Sequence, residues 1–88
     1  MAYGRGTVQE IEITEDSASV KIAEDDGLTS TWVVWSDYRA EYTALQRLVH
    51  GQWLSLLRVA LTGGNTVKIV SDPGDPASNL IYQVTLER

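Results

Sequence analysis

His50 is the one histidine among 88 residues, so any general base, imidazole-activated nucleophile or histidine-rich metal site would have to be built on it. No serine sits in a nucleophile-elbow pattern, and a lone histidine cannot form a ligand cluster. Its spacing fits a plainer role, that of a polar residue in the last turn of a helical segment. Carboxylates gather in two places. Glu10 and Glu12 share one face of a strand-like run, with nothing to desolvate either for acid–base work, and read as a solubilising face or a protected sheet edge. Glu24-Asp25-Asp26-Gly27 supplies oxygen atoms, but a calcium loop needs ligands at alternate positions and a distant carboxylate, so this run reads as a solvated turn. Cysteine is absent, which excludes disulfides, thiolate metal sites and cysteine nucleophiles. No catalytic residue, metal or cofactor is expected, and the chain reads as non-enzymatic.

Aromatic residues are the remaining candidates for recognition. Trp35, Tyr38 and Tyr42 surround Asp37, and indole and phenol rings stack on the apolar face of a sugar while polar neighbours take its hydroxyls. Trp35, Asp37, Tyr38 and Tyr42 are therefore the expected ligand-binding set. Large aromatics also anchor cores and subunit interfaces, so the same positions admit a purely structural role. Trp32 and Trp35 are an odd number of positions apart, which sends them to opposite faces of a strand and leaves one outside the interior.

Charge narrows the partners. Seven basic residues face twelve carboxylates, a formal net charge of −5, the wrong sign for affinity built on neutralising phosphates. That sign disfavours nucleic acid as a partner, and an anionic membrane surface with it. The first residues, MAYGRG, carry no apolar run, so no leader is expected there, and no helical candidate is long and uninterrupted enough to span a bilayer. The native compartment stays open.

The elements that must position these residues follow from periodicity. Thr7 to Thr14 alternates Ile11 and Ile13 with Glu10 and Glu12, while Val8 is out of phase, which predicts a strand with a bulge near Gln9. Ala18, Val20 and Ile22 continue the alternation after Glu15-Asp16-Ser17, so the first two strands form an antiparallel hairpin. Thr31 to Trp35 is apolar on both faces, the pattern of a central strand. Asp37 caps a helical segment through Tyr38, Glu41, Leu45, Leu48 and Val49, which Gly51 interrupts before a main helix over Gln52 to Thr62. Gly63-Gly64 ends that helix. Thr66 to Val70 is a fourth strand with Val67 and Ile69 inward. Asp72-Pro73-Gly74-Asp75-Pro76 is a connection, and Asn79 to Glu87 a last strand with Leu80, Tyr82, Val84 and Leu86 on one face.

The main helix carries more apolar surface than one small core uses. Trp53, Leu56, Leu57 and Ala60 make a core-facing stripe, and Leu54, Val59 and Leu61 widen it. A second copy of the chain is the economical cover, with Leu54, Arg58, Val59, Leu61 and Trp32 as the expected oligomer interface. The element order is β-β-β-α-β-β over residues 1–88, one mainly β domain. That is the order of the five-stranded Greek-key barrel known as the oligonucleotide/oligosaccharide-binding (OB) fold. An open sheet with one helix on its face is the other architecture the order allows.

The run from Leu54 to Leu86, LSLLRVALTGGNTVKIV followed by a polar loop and LIYQVTL, resembles the C-terminal half of the small pentameric B subunits of bacterial A-B toxins. In those proteins an apolar helix ending in a small-Gly step leads into a Val-x-Ile strand and a final hairpin strand. The resemblance covers about the last third of the chain. It implies a secreted subunit that assembles into a ring and binds cell-surface glycans, although the disulfide those subunits commonly carry has no cysteines here and their leader is not expected in MAYGRG. Three functions remain in order of preference: a carbohydrate-binding homo-oligomer gaining avidity from several sites, a purely structural ring, and a single-stranded nucleic-acid-binding barrel.

Overall fold

The computed structural model describes residues 3–71, 74 and 78–88. The elements are β1 (Tyr3–Ile13), β2 (Ser17–Glu24), β3 (Thr29–Ser36), α1 (Ala44–Gly63), β4 (Thr66–Ser71) and β5 (Ile81–Leu86). The mainly β class and the order β-β-β-α-β-β are those expected. One five-stranded sheet runs β3-β2-β1-β4-β5, each neighbouring pair antiparallel. It is not closed into a barrel. Among the described residues β3 meets the residue before β5 at a parallel bridge, Val33 to Leu80, where the Val33 N–H donates to the Asn79 carbonyl at 2.9 Å.

The hairpin of β1 and β2 carries its bulge where the phase of Val8 places it, with the register shifting between Val8 and Glu10. That extra residue turns both Val8 and Ile11 toward the core, and Ile13 is left exposed at the strand end. Thr14 shapes the first turn by accepting from the Ser17 N–H at 3.1 Å. The acidic run is the second turn, with Gly27 at φ 85 and Asp26 accepting from the Leu28 N–H at 2.9 Å.

β3 is an edge strand, not a central one. Both its faces are apolar because α1 and residues 78–80 cover it in place of a second neighbouring strand. β5 is likewise corrected. Its register shifts between Val70 and Ser71, pairing Val70 with Gln83 but Ser71 with Ile81. Tyr82 is the extra residue, so Ile81 is buried with the core and Tyr82 stands exposed. The connection expected over residues 72–76 lies outside the described residues apart from Gly74.

The two helical segments expected on either side of Gly51 are one helix. Residues 37–43 are not helical. Thr43, not Asp37, is the N-cap, in a capping box with Gln46: Thr43 Oγ1 accepts from the Gln46 N–H at 3.1 Å and Gln46 Oε1 accepts from the Thr43 N–H at 2.8 Å. A helical glycine costs about 1 kcal/mol, and Gly51 lies on the exposed side with open space around it, so a helix of 20 residues passes through it. Gly64, at φ 71, closes the helix and donates to the Ala60 carbonyl.

Leu57 and Ala60 of α1 lie fully buried in one cluster with Val20, Ile22, Val34 and Ile69 of the sheet. Trp32 belongs to that cluster. Its indole sits against Gly4, where a Cβ would meet Cζ2 at 2.7 Å, and its Nε1 donates to Ser30 Oγ. Arg5 on the central strand β1 bridges Asp25 and Glu87, while Lys68, its partner on β4, reaches the same Glu87 at 3.3 Å, tying the residue after β5 to β1 and β4.

Candidate functional site

Two concave surfaces flank the first half of α1. The larger is a cleft of about 420 Å³. The helix supplies one wall, through Leu45, Gln46, Val49, His50 and Trp53, and β3 and the start of β5 supply the other, through Val34, Leu80, Ile81 and Tyr82. Tyr42 joins the two walls. Its hydroxyl accepts from the Ser36 N–H at 3.0 Å and donates to the Ser36 carbonyl at 3.3 Å, satisfying the backbone where β3 ends. The smaller is a depression of about 200 Å³ bordered by Trp35, Arg47, His50, Gly51 and Leu54. The missing side chain at Gly51 keeps its floor low.

His50 belongs to both surfaces. It lies in the second turn of the continuous helix, not at the end of a first segment. Tyr42 meets it edge-on with ring centroids 4.7 Å apart, and Trp53 lies tilted against it at 5.3 Å. Burial, with a smaller push from the Arg47 charge, lowers its pKa, which favours the neutral imidazole. Arg47 stands 5.7 Å over the Tyr42 ring and pairs with Asp37 at 3.4 Å.

The four residues expected to form a ligand site do not converge. Trp35 is partly buried at the depression, and Asp37 reaches it only through Arg47. Tyr42 lines the cleft and is committed to Ser36. Tyr38 is 83% exposed and donates to Asp16 at 3.0 Å, a hydrogen bond that raises its pKa. The reason is the turn over residues 37–40, where the Arg39 and Ala40 N–H groups both return to the Ser36 carbonyl. This splays side chains that a helix would have stacked. Gly51, His50, Trp53 and Tyr82 also line these surfaces and were not in the expected set.

The expected interface residues also divide. Trp32 is a core residue, and Leu54 packs partly against the core while bordering the Trp35 depression. Arg58, Val59 and Leu61 are exposed. The sequence reading missed Leu45 and Leu48, which are 71% and 67% exposed and stand with Gln52, Ser55 and Val59 along the outer side of α1. No charged residue lies on that side: the helix has only Arg47 and Arg58, both on one flank. Ser55 donates to the Gly51 carbonyl, which leaves the Gln52 carboxamide as the strongly hydrated group of this face.

Among the described residues no group of three His, Cys, Asp or Glu could hold a metal ion. Glu10 and Glu12 stand on the sheet's outer face beside Ser19, Lys21 and Thr31. No helix among the described residues is long and apolar enough to cross a membrane. No family model matches the chain, and no curated protein matches it.

Proposed function

We propose that this chain is a non-enzymatic, self-associating binding module, whose copies meet through the outer side of α1 and each offer the Trp35 depression to a carbohydrate. The observation that carries this reading is the uncharged outer side of α1, where Leu45, Leu48 and Val59 are 71%, 67% and 54% exposed. Exposed apolar surface of that extent, bordered on one flank by Arg47 and Arg58, is characteristic of an interaction site. A second copy suits it because two uncharged faces meet without repulsion, even though each chain carries a net charge of −5.

An OB-like Greek-key arrangement, opened along one seam, fits this reading. It is supported by the central place of β1 between β2 and β4 and by the parallel Val33–Leu80 bridge that draws β3 toward β5. The carbohydrate part is supported by an indole beside a charged, hydrogen-bonding pair. A pyranose ring stacked on Trp35 places its hydroxyls near Arg47 and Asp37. Repetition of so small a site around an oligomer raises avidity without any new contact, which matches the implied likeness to ring-forming toxin B subunits.

Light scattering at low and high salt tests the assembly, and a glycan panel tests the ligand. A salt-resistant mass that is a multiple of 9.7 kDa, with glycan binding lost in Trp35→Ala, is the expected result. A 9.7 kDa monomer at all concentrations overturns the assembly. An oligomer with no glycan bound leaves a structural ring.

A further inference from the structure

The cleft between α1 and β5 shares His50 with the Trp35 depression but differs from it in chemistry. Its volume of about 420 Å³ falls among small-molecule pockets, roughly 300–1,000 Å³. Leu45, Val49, Trp53, Leu80, Ile81 and Tyr82 make most of its wall, and no ionic side chain lines it. Arg47, the nearest guanidinium in sequence, is turned to Asp37 and the Tyr42 ring. An ion entering this cleft would lose hydration with no counter-charge to replace it.

Its polar groups are few and mostly committed. The Tyr42 hydroxyl is occupied by both backbone groups of Ser36, and the Gln46 carbonyl oxygen by the Thr43 N–H. The His50 imidazole makes no hydrogen bond within the described residues and meets the Tyr42 and Trp53 rings. A neutral imidazole has one donor and one acceptor nitrogen, so a ligand hydroxyl or carbonyl gains there a hydrogen bond that the protein itself does not make.

We infer that this cleft is a binding site for an uncharged, planar aromatic ligand carrying one hydroxyl or carbonyl group, its ring between Val49, Trp53 and Tyr82 and its polar atom on His50. The inference does not rest on the proposed assembly, since a monomer carries the whole cleft.

The probe is 2-naphthol, with 2-naphthoate as a charged ligand of the same ring, followed by ¹⁵N–¹H spectra of the three indole groups while native mass is measured in parallel. Saturable displacement of the Trp53 signal by 2-naphthol, with the buried Trp32 signal unmoved, is expected, and 2-naphthoate should bind at least about tenfold more weakly. Val49→Phe fills the cleft and should abolish binding. Tyr82→Ala removes an exposed wall and should weaken binding even if Val49→Phe does not fold. His50→Phe keeps the ring contacts and should lose about tenfold, the worth of roughly one hydrogen bond. Equal affinity for both probes, no saturation, or unchanged binding in the folded variants overturns the site. A cleft that accepts 2-naphthol only after Leu48→Glu has dissociated the protein is filled by a second copy instead.

Discussion

Leu48→Glu separates the subunit from its assembly. Leu48 is 67% exposed on the outer side of α1 and takes no part in the core cluster. Glutamate and leucine differ little in helix propensity, and surface substitutions of this kind stay within about 0.5 kcal/mol in a lone chain. At an interface the same change is costly. Full burial of a leucine side chain is worth about 1.5–3 kcal/mol, so covering the two-thirds left open is worth roughly 1–2 kcal/mol. A carboxylate stripped of water without a partner adds a few kcal/mol more. About 3 kcal/mol lost per contact weakens association at least roughly a hundredfold. Sedimentation velocity beside circular dichroism reads both halves: a 9.7 kDa species with native helix and sheet signals is expected. Leu57→Ala supplies the contrast, since Leu57 is fully buried and its truncation costs about 2–5 kcal/mol of folding stability. A Leu48→Glu protein that sediments like the wild type, or that melts as poorly as Leu57→Ala, refutes the assignment of that face.

Three further outcomes follow from the same geometry. Gly6→Ala drives a Cβ into the Ala23 carbonyl of β2 and should lower the denaturation midpoint by the equivalent of about 1–3 kcal/mol, whereas alanine at the open Gly51 should be neutral or slightly stabilising. Tyr42→Phe strands the Ser36 N–H, while the Ser36 carbonyl keeps the Arg39 and Ala40 N–H donors, and should cost about 1–3 kcal/mol in urea unfolding; wild-type stability would mean that water replaces the hydroxyl. Acid unfolding should come in two windows. His50 has a pKa lowered from 6.5 by burial, so below that value the unfolded chain binds a proton the folded chain resists, and stability falls with pH down to the folded value. Glu87, lowered from 4.5 chiefly by its hydrogen bond to Arg5, adds a second loss below 4.5. His50→Phe should flatten the first window and leave the second, and an unchanged profile contradicts the burial of that imidazole.

Much of the architecture was legible because it is written in local patterns. The out-of-phase Val8 located the Gln9 bulge, since a period of two admits only one way to bring Val8 and Ile11 to the same face. Gly64 located the helix end because few residues adopt a positive φ without strain. The Tyr82 bulge was not legible, because it is defined by pairing with Val70 and Ser71 and leaves no mark within β5 itself. Gly51 misled for an energetic reason: its cost is small beside what a capped, 20-residue helix packed on a sheet supplies. Splitting the helix there hid the uncharged side formed by Leu45, Leu48, Gln52, Ser55 and Val59. The candidate site was the least legible part. Its walls come from residues 34–54 and 80–82, and only tertiary packing brings Tyr42, His50 and Trp53 against Ile81 and Tyr82.

The most direct test of the outer side of α1 as a subunit contact is paramagnetic relaxation of leucine methyl groups by a soluble gadolinium chelate. Leu48 and Leu28 are both 67% exposed in the isolated chain, one on α1 and the other at the turn before β3, so each calibrates the other. At assembling concentrations the Leu48 methyls should relax far more slowly than those of Leu28 and recover on dilution. Equal relaxation of the two at every concentration would mean that no second copy covers the helix.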